Sequence, residues 1–179
     1  MGLTPVPEDP LGRFRAALIG KHERMIDLFS DTLTKPSAAM RQAMAAAEVG
    51  DEQKREDPTT NELQRRVAEL LGKPAAMLLP SGAMCNQIAM RMHCRPGDEF
   101  IIDRSYHIVN FEVGGAAALS GAQARTIEGD RGVFDAAQVA AAVRPTTIPH
   151  IPHSKLLCLE QTTNMGGGGV WPIEKFRAA

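Results

Sequence analysis

Apolar positions along the middle of this 179-residue chain switch repeatedly between helical and strand spacing. Leu63, Val67, Leu70 and Leu71 recur at the period of one helix face, Thr59 and Glu62 are spaced as a capping box before them, and Gly72 and Pro74 stop the helix. Residues 75–79 form an apolar run of strand length. The turn Pro80-Ser81-Gly82 comes next, and Met84, Ile88 and Met92 return to helical spacing, so the order is strand, tight turn, helix. The pattern then repeats. Pro96-Gly97-Asp98 turns the chain, 100–102 predicts a strand, 114–119 a helix, and 122–127 a second extended segment. Asp135 caps a predicted helix through 143, 155–159 reads as a buried strand, 166–169 as a glycine loop, and Pro172 as a first-turn residue of a last helix. Upstream, Ser30-Asp31-Thr32 with Thr34 and Pro36 predicts a capped turn into a helix over 38–47, and Glu56-Asp57-Pro58 a helix entry. Alternating α and β segments predict an α/β fold with a mostly parallel sheet flanked by helices.

Residues 1–24 carry three prolines and mixed charge without a periodic tie to the later segments, so they read as an amino-terminal extension to a body spanning 25–179. A 44% hydrophobic content is enough for a real core. With 20 basic and 21 acidic residues the net charge is −1, which argues against a nucleic-acid or anionic-membrane partner. No run approaches the roughly 18 apolar residues of a bilayer span, and the opening MGLTPVPEDP lacks the order of a secretory signal, so a cytoplasmic location is expected. Cys85, Cys94 and Cys158 form no CxxC pair and the histidines have no metal-site spacing, so neither a disulfide framework nor a metal is expected. Small buried hydrophobes account for the cysteines. At 4% aromatic residues, a stacking platform for single strands is disfavoured.

Three segments could carry chemistry. A strand ending in Pro80-Ser81-Gly82 and feeding a helix offers unpaired amides and a favourable dipole to an anion such as a phosphate, although turns of this kind commonly bind nothing. Asp103-Arg104-Ser105-Tyr106-His107 comes directly after a strand, where parallel sheets hold ligands. There His107 can stack on a flat cofactor or move protons, while an ordinary loop histidine fits the same residues. Glu160-Gln161-Thr162-Thr163-Asn164 places polar groups at a strand end, and the glycines after it allow close backbone approach or simple flexibility.

Taken in order, these segments resemble the amino-terminal part of threonine aldolases in the β-eliminating lyase family of pyridoxal-phosphate enzymes. Residues 27–36, DLFSDTLTKP, resemble the family's DLRSDTVTKP; Gly50-Asp51, Glu56-Asp57-Pro58-Thr59 and Asn61-Glu62-Leu63 resemble its GDDxYGEDPTxNEL. Leu79-Pro80-Ser81-Gly82-Ala83-Met84 with Asn86-Gln87 looks like its PSGTMGNQ phosphate turn, and Arg95-Pro96-Gly97-Asp98-Glu99 precedes His107 as in the family. The resemblance implies a partial large domain of a fold-type I enzyme and, as cofactor, pyridoxal 5'-phosphate. It places Ser81, Gly82 and Ala83 at the phosphate, His107 on the pyridine ring, Ser30 and Asp31 at the carboxylate of the amino acid substrate, and Glu160 to Asn164 along the substrate hydroxyl, with His107 and Thr163 as catalytic residues. It implies retro-aldol cleavage of a β-hydroxy-α-amino acid to glycine and an aldehyde, and a homo-oligomer in the complete form.

Departures from the pattern shape a second expectation. Ala83 replaces a threonine of the phosphate turn, Arg55 a glycine before Glu-Asp-Pro, and Thr163 a histidine common in the family, which opens β-elimination on another hydroxy amino acid as an alternative. The family's Schiff-base lysine and the aspartate that meets the pyridine nitrogen have no equivalents here: Lys21, Lys35, Lys54, Lys73, Lys155 and Lys175 all lie outside the family's lysine motif. The isolated chain is therefore expected to be inactive, or to serve as a non-catalytic piece that pairs with a full-length subunit.

Overall fold

A computed structural model describes residues 26–179, so the predicted extension over 1–24 lies outside the described residues. The chain divides into two compact units, the first ending at Arg66 and the second spanning Val67–Ala179.

In the first unit Ser30 caps a 3-10 turn over Asp31–Leu33, and helix α1 (Ala38–Ala46) begins behind Ser37, whose hydroxyl accepts the Met40 amide at 3.2 Å. Helix α2 (Pro58–Leu71) starts in this unit and ends in the second. Its cap differs from the Thr59–Glu62 box expected from sequence. Asp57 Oδ1 accepts the Thr60 amide at 2.7 Å, while the Thr59 hydroxyl donates to the Glu48 carbonyl and Glu62 binds Arg65 and Arg66. Pro58 decides this: with no N–H and a fixed φ it suits the first helical position, which makes the preceding residue the cap. At the other end Gly72, at φ +60, closes α2 as predicted.

The second unit is built on a three-stranded parallel sheet. Strands β1 (Glu99–Asp103), β2 (Gln123–Ile127) and β3 (Ser154–Leu157) stand in the order β2-β1-β3, with Phe100 opposite Ala124 and Leu156. Every residue of central β1 is buried. Phe100 and Ile102 pack with Met90 of helix α3 (Gly82–His93), with Cys94 just after it, and with Tyr106, Phe134 and Trp171. Acids close both ends of β1. Glu99, 1% exposed, meets Arg144 Nε at 2.9 Å, while Asp103 Oδ2 accepts the Gly129 amide at 2.6 Å and Oδ1 the Ser105 amide at 2.8 Å. Helices α4 (His107–Asn110), α5 (Gly115–Ser120), α6 (Ala136–Ala142) and α7 (Ile173–Ala178) complete the unit.

Three details differ from the sequence expectations. Residues 75–79 form no strand of the described sheet, and Met77 and Leu78 are exposed, because an apolar run becomes a strand only when it is paired in register with a neighbouring strand. Pro172 caps α7 from outside the helix instead of occupying its first turn. The short helix α4 had no periodic signal. Among the described residues no helix is long and apolar enough to cross a membrane.

Candidate active site

The carboxyl end of β1 delivers the central side chain. After Asp103 the chain turns on Ser105 and enters α4 at His107, whose backbone amide donates to Glu160 Oε2 at 2.6 Å. The other oxygen of Glu160 accepts the Asn164 amide at 2.6 Å, so one carboxylate ties the segment after β1 to the segment after β3. Parallel α/β sheets place ligands at this end of their strands.

His107 is held at Nδ1 by Glu112, 2.9 Å away, and its ring lies against Phe111 with centroids 5.5 Å apart. Glu112 is buried, and it also accepts from Asn86 Nδ2 and Gln87 Nε2 of α3, each at 2.7 Å. Burial by itself would raise the Glu112 carboxyl, but the bonds from Asn86, His107 and Gln87 outweigh it and hold the group below its ordinary 4.5. The imidazole side chain remains 43% exposed and accessible to a ligand.

At the start of α3 the Ser81 hydroxyl accepts the Met84 amide at 3.1 Å, and the Ser81 carbonyl accepts the Cys85 amide at 3.2 Å. The amides of Gly82 and Ala83 carry no hydrogen bond within the described residues, and a Cβ built on Gly82 would meet open space. Free amides at a helix start suit an anion. Gly82 lies four residues before Asn86, and Ala83 four before Gln87, so each stands on the same helix face as a Glu112 ligand.

The remaining sequence candidates have other partners. Thr163 is fully buried, and its hydroxyl accepts the Gly169 amide at 3.0 Å inside the glycine turn, which Arg131 braces through the carbonyls of Gly166 and Gly167. Ser30 and Asp31 form the 3-10 turn of the first unit, with Ser30 Oγ 2.9 Å from Thr32 Oγ1. Of the cysteines, Cys94 is buried and burial pushes the Cys158 thiol up to about 12, while Cys85 is exposed on α3. Among the described residues no cluster of three or more His, Cys, Asp or Glu groups could hold a metal ion.

Glu112 escaped the sequence reading. Its only local signal is an acid inside the stretch Ile108-Val109-Asn110-Phe111-Glu112-Val113, and its partners Asn86 and Gln87 are 26 and 25 residues away.

A family profile described as beta-eliminating lyase matches residues 27–179. The chain belongs to the beta-eliminating lyase family. Among relatives of this lyase-family chain, it is 45% identical over 156 residues to the low specificity L-threonine aldolase of Escherichia coli (strain K12), covering 87% of this chain and 46% of that one. It is likewise 45% identical over 154 residues to the probable low-specificity L-threonine aldolase 2 of Arabidopsis thaliana, covering 84% and 43%. A solved structure of Leishmania major threonine aldolase superimposes with a TM-score of 0.62 at 24% identity, over 69% of this chain and 36% of that one. The parallel sheet with flanking helices thus matches a fragment of that fold. The chain spans under half the length of the curated relatives it matches.

Proposed function

We propose that the chain supplies the phosphate-binding and ring-facing part of a pyridoxal-phosphate-dependent lyase of the threonine aldolase type, which cleaves a β-hydroxy-α-amino acid to glycine and an aldehyde. The observation that carries this reading is the link from the exposed His107 imidazole through buried Glu112 to the helix whose first amides are free. These groups fit a cofactor that is anionic at one end and flat at the other.

In this reading the Gly82 and Ala83 amides hold the phosphate and Ser81 shapes the turn by capping Met84. His107 faces the ring. Ala83 brings no side-chain hydroxyl, so phosphate binding rests on main-chain donors. Pyridoxal phosphate, when bound, supplies an electron sink for the bond broken at the amino acid. Ser30 and Asp31 are assigned to the substrate carboxylate. Thr163 is fully buried against the glycine turn and is assigned to holding that turn, in place of a direct role at the substrate hydroxyl.

We also propose that these 179 residues alone do not catalyse the reaction. Lys155, in β3, stands beside the amino end of β1, roughly 13 Å along the strands from the end that leads to His107 at about 3.3 Å per residue. The test incubates the purified chain with pyridoxal phosphate and threonine, reading cofactor absorbance and glycine release. Saturable cofactor binding without glycine is the expected result. Glycine release above a heat-denatured control would overturn the inactivity, and absence of saturable binding would overturn the cofactor reading.

A further inference from the structure

We infer that Glu112 is a positioning residue that fixes the tautomer and orientation of the His107 imidazole and locks it to helix α3. An ionised carboxylate has only acceptors, so each group pointing at it must present a hydrogen. Glu112 Oε1 takes Asn86 Nδ2 at 2.7 Å and His107 Nδ1 at 2.9 Å, and Oε2 takes Gln87 Nε2 at 2.7 Å. The neutral imidazole therefore carries its proton on Nδ1 and leaves Nε2 as the free nitrogen.

Two further observations support an imposed arrangement. The Gln87 amide turns its nitrogen to Glu112 although this leaves Oε1 buried without a hydrogen-bond partner. Gly115 lies so close that a Cβ there would stand 2.7 Å from the Gln87 amide carbon, so the amide is confined to its place. Among the described residues the charged groups that hydrogen-bond His107 are both acidic: Glu112 at the ring, from the turn before α5, and Glu160 at the backbone amide, from the segment after β3. Among the described residues Glu112 alone hydrogen-bonds the ring, while Phe111 lies against it without a polar atom, so the carboxylate selects the ring proton's position. Because Asn86 and Gln87 each come one helical turn after one of the free α3 amides, the same carboxylate sets the distance from imidazole to anion site.

This deepens the cofactor reading above and rests on it for what His107 faces, but the tautomer does not depend on a cofactor. The experiment records imidazole nitrogen spectra of the uniformly 15N-labelled chain in alkaline buffer, with the His107 signals identified by their loss in His107→Gln. Wild type is expected to show the Nδ1–H form. In Glu112→Gln the carboxamide can donate as well as accept, so the Nδ1–H share should fall and pyridoxal-phosphate affinity should weaken about tenfold, the worth of one charge-assisted hydrogen bond. A wild type in the Nε2–H form overturns the inference, and this spectrum decides alone should the variant not fold. A folded Glu112→Gln chain with an unchanged tautomer also overturns it. An Nδ1–H wild type that binds no pyridoxal phosphate sustains the positioning role and sinks the cofactor reading instead.

Discussion

Glu112 gives its pocket a definite acid sensitivity. Its carboxyl ionises below the ordinary 4.5 in the folded chain, because bonds from Asn86, His107 and Gln87 overcome the effect of burial. A depressed folded value means stability that is fully present above the unfolded value and is lost as pH falls through the folded one. Urea unfolding of wild type should therefore weaken as pH falls below that ordinary value, more steeply than that of Glu112→Gln. At neutral pH the variant should be less stable by about 2 kcal/mol, since buried donors lose a charged acceptor. Equal pH slopes for the two proteins would refute this account. At this scale the sequence was legible for position where a residue sits in a contiguous string: Ser81 stands at a helix start and His107 just after a strand. It was not legible for Glu112, whose meaning comes from side chains on a different helix.

Elements whose stop signals are local were readable, and those completed by a neighbour were not. Asp135 is the clearest success. Its carboxylate accepts the Gln138 amide at 2.9 Å, Gln138 Oε1 accepts the Asp135 amide at 3.0 Å, and Gln138 Nε2 reaches the Glu128 carbonyl at 2.8 Å. Asp135→Ala should cost about 1 kcal/mol in urea unfolding, while Asp135→Asn, which keeps an accepting oxygen, should cost less. Comparable losses in the two variants would argue that the charge and not the cap is what matters. By contrast, 75–79 and 100–102 carry similar apolar signals, yet only the latter is a strand, because β2 and β3 flank it. The capping box expected at Thr59 failed for a local reason, the proline that moved the helix start.

Across the molecule, the two outer strands differ in what they leave open. Among the described residues, β2 presents Gln123, Arg125 and Thr126, polar residues that discourage edge pairing, whereas β3 carries a single charge, Lys155, beside the half-buried Leu156 and Leu157. Large apolar side chains are also exposed at Met77, Leu78 and Leu119 of the second unit and at Leu28 and Phe29 of the first. Surface of this kind favours association. The purified chain should accordingly show an apparent mass that rises with concentration in light scattering, and ammonium sulfate should promote the rise. A constant monomeric mass across the dilution series would count against it. None of this exposure could be read from composition, which reports how much apolar material exists and not where it is covered.

Trp171 and Tyr106 are the only tryptophan and tyrosine of the chain. Both are buried; the indole Nε1 donates to the Tyr106 hydroxyl at 3.2 Å, which itself donates to the Gly132 carbonyl, and the indole packs edge-on to Phe134 at 4.8 Å. Tyr106 directly precedes His107. The pair therefore acts as a built-in optical gauge: energy absorbed by one phenol passes to one indole, and the colour and yield of that emission register any loosening of the segment that presents the imidazole, with no added label.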